Sequence, residues 1–134
     1  MKQLLTLIML SVLLQGAYAT DFLSSSDLRV TDALNYFSSI QENDGGFGDQ
    51  ATTCWIVTAI VSADQDPYSY VKMGNSPISY LKSASLSEPL NPPNGYSRTI
   101  LAVVAAGEDP TNFGSQNLVA ALKSYDSDLD GNYG

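Results

Sequence analysis

QENDGGFG, residues 41–48, lies between two segments with helical apolar spacing, and its reading decides how the chain folds. Gly45, Gly46 and Gly48 are more glycines than an ordinary helix-to-helix turn needs, and an aromatic ring, Phe47, sits among them. Upstream, Asp32, Ala33, Leu34, Phe37 and Ile40 keep the three-to-four spacing of an amphipathic helix, with Thr31 as the expected N-cap. Downstream, residues 51–63 place Trp55, Ile56, Val57, Ala59, Ile60, Val61 and Ala63 around almost the whole helix axis. A helix with that pattern is expected to be buried on nearly all sides.

The pattern recurs. AIVSADQDP (residues 59–67) returns as AVVAAGEDP (residues 102–110), SYLKSAS (79–85) as AALKSYD (120–126), and DGGFG (44–48) as DGNYG (130–134). All three agree on a unit of roughly 43 residues, a length that suits a stacked pair of helices. In the second unit Ser76 and Pro77 signal a helix start carrying Ile78 and Leu81. An apolar helix then runs from Ser97 through Ile100 to Ala106 and ends at Gly107, a C-terminal cap. Asp66-Pro67 and Asp109-Pro110 mark equivalent turns, and residues 118–125 supply a helix of the third unit. The expected fold class is all-α, with half-exposed helices alternating with buried ones in two concentric layers. The third unit stops inside its glycine turn at Gly134, so the sequence reads as a piece of a longer protein in preference to an edge-to-edge assembly of copies.

Gln41, Gly45 and Phe47 have the form Gln-x-x-x-Gly-x-aromatic. This resembles the QW repeat motif of squalene and terpene cyclases and of protein prenyltransferase β-subunits, with Phe in place of Trp. The resemblance covers most of residues 27–134 and implies an α/α-toroid of helical hairpins, here about two and a half repeats of roughly 43 residues forming an incomplete ring. It implies a structural turn motif made of Gln41, Asp44, Gly45, Gly46 and Phe47, with degenerate copies at Gly95-Tyr96 and at Gly131 and Tyr133. In that motif glycine permits a sharp reversal, the ring closes the end of the core and the Gln amide is expected to satisfy helix-terminal backbone groups.

The chemistry of that family is not carried over. Its zinc site uses an Asp-x-Cys pair and a distant His; here Thr52-Thr53-Cys54 has Thr at the Asp position, and the chain contains no His. Its Asp-x-Asp-Asp acid is only approached by Asp126-Ser127-Asp128-Leu129-Asp130, which falls in a solvated turn where a useful pKa shift has no source. No catalytic residue is assigned and no cofactor is expected. Asp126, Asp128 and Asp130 also fit the first half of a calcium loop, a reading the repeat explains without metal. Cys54, Trp55 and Tyr96 are the candidates for facing a ligand, with Tyr133 beside a turn end; packing in the core is the competing role for each.

Composition bounds the partners. Lys2, an apolar run over residues 4–14 and Ala17-Tyr18-Ala19 form a secretory signal peptide, residues 1–19, and the run is shorter than the roughly 20 residues a membrane span needs. Residues 20–134 are then one helical repeat domain, secreted or at the cell surface. The whole chain has 14 acidic and 6 basic residues and a net charge of −8, and losing Lys2 makes the exported part more negative still. Such a surface repels nucleic acid and anionic lipid. Cys54 is the lone cysteine, so stability rests on packing and not on an internal disulfide. The expected function is a non-catalytic binding or interaction module for a small molecule, glycan or protein. The alternative is the N-terminal part of an exported terpene cyclase, prenyltransferase-like enzyme or polysaccharide lyase with catalytic residues beyond Gly134.

Overall fold

The computed structural model describes residues 24–87 and 93–126. They form five α-helices, α1 (Leu28–Ile40), α2 (Gln50–Ser62), α3 (Pro77–Ser87), α4 (Asn94–Ala105) and α5 (Leu118–Asp126), with a single 3-10 turn at Pro67–Ser69. Among the described residues there is no strand, so the all-α expectation holds. The signal peptide over residues 1–19, and Asp128, Asp130, Gly131 and Tyr133, lie outside the described residues.

Helix starts follow side-chain oxygens. α1 begins earlier than its apolar stripe suggests: its N-cap is Asp27, whose carboxylate accepts the Arg29 N–H at 2.9 Å. Thr31 lies inside the helix and donates its hydroxyl to Asp27 O, so it is not the cap. Asp49 caps α2 by accepting the Thr52 N–H at 2.7 Å. Ser76 caps α3 as its sequence position suggests, accepting from Ser79 N–H at 3.2 Å, with Pro77 at the first helical position. α4 starts at Asn94 and not at Ser97, because Pro93 presets a helical turn and Pro93 O accepts the Ser97 N–H.

One hydrogen-bond pattern occurs twice along the backbone. After α2, Ala63 N–H bonds to Ala59 O, Asp64 N–H to Val61 O and Gln65 N–H to Ile60 O. After α4, Ala106 bonds to Ala102, Gly107 to Val104 and Glu108 to Val103 in the same order, roughly 43 residues later. Asp64 and Gly107 hold the matching left-handed position at φ 58° and 77°, the geometry that closes a helix C-terminus. Asp66 and Asp109 then accept the N–H two residues on, from Tyr68 and Thr111. Each linker ends in a two-residue tight turn, Lys72 to Asn75 and Phe113 to Gln116, with reciprocal backbone bonds and positive φ at both central residues.

Packing places α2 and α4 side by side, with α3 on α2 and α5 on α4. Cys54, Val57, Ile78, Leu81, Ala102, Val103, Phe113 and Leu118 form the main core. Each fully buried large side chain in it stabilises the fold by about 1.5–3 kcal/mol. A second cluster of Phe47, Ile56 and Ile60 receives Leu34 and Phe37 of α1. The expectation that α2 and α4 are buried on nearly all sides is corrected: Trp55 is 59% exposed, Leu101 60% and Val104 55%, and Ala59 is exposed too. α2 and α4 cover each other on one side and are covered by α3 and α5 on another, while Trp55, on the face left open, meets Arg98.

Candidate functional site

The glycine turn is built by its own side chains. Asp44 accepts the Gly46 N–H at 2.9 Å, Gly45 N–H reaches Glu42 O and Glu42 N–H reaches Gly46 O. Phe47 is buried against Ile56 and Ile60 and meets Phe37 edge-on, with ring centres 6.4 Å apart. Its N–H donates to Thr53 Oγ1, and the Thr53 hydroxyl donates to Asp49 O, which welds the turn to the start of α2.

Gln41 does something the sequence reading missed. Its buried amide donates to Gly45 O and to Tyr70 O, 3.0 Å each; Tyr70 is the C-cap of the 3-10 turn, so the helix-terminal carbonyl it satisfies lies on the following linker. Lys72 donates back to Gln41 O, and Asn75 Nδ2 donates to Asn43 O at 2.9 Å. The turn of the first unit is therefore clasped to the linker of the second. Gly45 sits at φ +91°, and a Cβ there would come within 2.5 Å of Ser76 O, so close backbone approach is what excludes a side chain.

Gly95 and Tyr96 do not repeat this turn. They lie in the first turn of α4, where Gly95 O accepts the Thr99 hydroxyl and the Tyr96 ring packs against Tyr125, centres 5.7 Å apart. In register they match Thr52 and Thr53, and the counterparts of Gly46 and Phe47 are Pro89 and Leu90, outside the described residues.

Cys54 and Trp55 part company. Cys54 is 1% exposed, its thiol lies 3.7 Å from Thr99 Oγ1, and burial pushes its pKa up, so it is a packed, protonated thiol. Trp55 projects from α2 away from the core, and the Arg98 guanidinium of α4 stacks 5.8 Å from its ring centre. Trp55 and Arg98 hold the same position in successive units. Beside them, Leu101 and Val104 continue an exposed apolar face on α4. Neither was singled out from sequence, although their i, i+3 spacing on a helix already flanked by a core stripe was the available signal. Asp126 is the last residue of α5. Among the described residues no three of His, Cys, Asp or Glu gather to hold a metal ion, and no helix is long and apolar enough to cross a membrane.

No family model matches this chain, and neither the search of curated proteins nor that of solved structures found a match.

Proposed function

We propose that the chain is part of an α/α-toroid of the prenyltransferase and squalene cyclase kind, exported to the cell surface or medium, and that it works as a non-catalytic binding module. The observation that carries this reading is the apolar face of α2 and α4 made by Trp55, Leu101 and Val104, all more than half exposed. In concentric layers of helices, the inner set turns such a face toward a central cavity. The recurrence of caps, linkers and tight turns from one unit to the next supports the repeat architecture. Apolar faces of this kind gather ligands, because exposed contiguous apolar surface gains free energy whenever a partner covers it.

Trp55 is the single tryptophan, so its fluorescence reports on this face alone. Titrating the purified chain with Nile red, an uncharged apolar dye, is expected to give saturable dye emission and quenching of Trp55. Leu101→Asp and Val104→Asp, both at exposed positions, are expected to abolish the response with an unchanged circular dichroism spectrum. A linear, unsaturable response in the parent chain would reject the binding face. Product release from a polyprenyl diphosphate or from squalene would make the chain an enzyme instead.

A further inference from the structure

A cleft of about 640 Å³ opens between the glycine turn and α3, within the range of roughly 300–1,000 Å³ typical of ligand sites. Trp55, Leu101 and Val104 do not line it, so it is separate from the apolar face above. We infer that this cleft binds a neutral, hydroxyl-rich ligand of the saccharide class.

The argument starts from which polar atoms are already used. Asp44 spends one carboxylate oxygen on the Gly46 N–H. Asn75 spends one of its two amide N–H groups on Asn43 O, and Gln50 spends one of its own on Thr99 Oγ1 at 3.4 Å. The second Asp44 oxygen, the Asn75 amide oxygen and the second Asn75 N–H have no hydrogen-bond partner among the described residues, whereas the Gln50 amide is turned toward Thr99, which does not line the cleft. Two of these accept and one donates, so the complementary ligand carries groups that do both. Burial is the largest cause of the raised Tyr80 pKa and the charges of Asp44, Asp49 and Glu42 add to it; Asp44 and Asp49 line the cleft and no described lysine or arginine does, which disfavours anionic ligands. A cation is the weaker candidate, because the Asp49 carboxylate is occupied by the Thr52 N–H and feels the Arg98 charge. What remains is one Asp44 carboxylate oxygen and the Asn75 amide, a set matched to hydroxyl groups, which both donate and accept.

Tyr80 supplies the platform. Its half-buried ring rests on Gly46, where a Cβ would come within 2.9 Å of the ring atoms, and its hydroxyl reaches Gly48 O at 3.3 Å. The ring is thus held at one wall of the cleft, and an aromatic face attracts the C–H face of a sugar through its quadrupole. The repeat gives an internal control. The position of Tyr80 in the next unit is Ala121 and that of Ser79 is Ala120, on a helix that still packs against its inner partner. The Tyr80 ring covers Gly46 and packs against the main core, and it gives the cleft an aromatic wall that Ala121 does not supply to its own helix.

Isothermal titration of the purified chain with neutral gluco-, manno-, galacto- and N-acetylglucosamine hexaoses tests the inference, with spermidine as the cationic comparison. At least one hexaose is expected to bind saturably, and Tyr80→Ala and Asp44→Asn are each expected to weaken it about tenfold or more. Asp44→Asn keeps the acceptor for Gly46 and serves as the decisive variant where Tyr80→Ala lowers thermal stability. Leu101→Asp is expected to leave hexaose binding unchanged, which separates this site from the apolar face. No saturable heat from any hexaose at about 10 mM, affinity unmoved by both variants, or tighter binding of spermidine would each overturn it.

Discussion

Gly45 shows how a single residue sets the spacing between units. Its positive φ and the Ser76 carbonyl oxygen 2.5 Å from a would-be Cβ penalise any side chain twice. Gly45→Ala is expected to cost at least about 2 kcal/mol in urea unfolding. Gly74→Ala, at φ +86° with open space around it, is expected to cost only about 1 kcal/mol. Equal losses would mean that the close approach is not what selects glycine at residue 45. Glu108 is a second such point: the Tyr68 hydroxyl and the Lys82 ammonium, 2.9 Å away, hold its carboxyl below the ordinary value of 4.5. Its contribution is therefore present above that value and is lost as pH falls through the lower folded value. Tyr68, pushed up to about 12 by burial and by Glu108, contributes below its ordinary 10.0 and fails as pH rises through about 12. Because the pair is partly exposed, Glu108→Gln is expected to cost no more than about 1 kcal/mol at neutral pH. The difference from the parent chain is expected to shrink below pH 4.5, measured by urea melts across pH.

At the scale of elements, the linkers carry more order than their polarity suggests. Each ends in a tight turn with two left-handed residues, and the first places Met73 there at φ 52° with 80% of its surface exposed. Asn tolerates that conformation far better, and Asn-Gly is the preferred pair in this turn. Met73→Asn is therefore expected to stabilise the chain by about 0.5–1 kcal/mol, seen as a higher urea midpoint with an unchanged slope. No gain would place the constraint in the clasp between Gln41, Tyr70 and Lys72 and not in the turn. The second turn shows what the same geometry can do with another residue: Phe113, at the position of Lys72, is fully buried and receives the Lys82 ammonium over its ring at 5.4 Å. One backbone design thus ends once in a polar clasp and once in a core plug.

Across the whole molecule, packing is graded. α1 has no buried residue and reaches the rest through Leu34 and Phe37, whereas α2 buries Thr53, Cys54, Ile56, Val57 and Ile60. Local opening follows such differences in burial. Amide hydrogen exchange is expected to show α1 exchanging well before α2 and α4; uniform protection across all helices would contradict that order. Side by side, α2 and α4 make a wall with one dry face on the core and one wet face bearing Trp55, Leu101 and Val104.

Helical periodicity, the Asp-Pro turns, Ser76-Pro77 and Gly107 were legible in the sequence because each is a local device, whose effect is confined to a few neighbouring residues. The unit of roughly 43 residues was legible for the same reason, as the local devices simply recur. The sequence by itself therefore determined an all-helical chain of repeated linkers and caps. Tertiary structure alone decided that Gln41 reaches Tyr70, that Phe113 fills the core, that Gly95 and Tyr96 belong to a helix, and that Trp55 faces outward while Cys54 does not. Those outcomes depend on which neighbours are present on each side, and a residue's hydrophobicity carries no record of its neighbours.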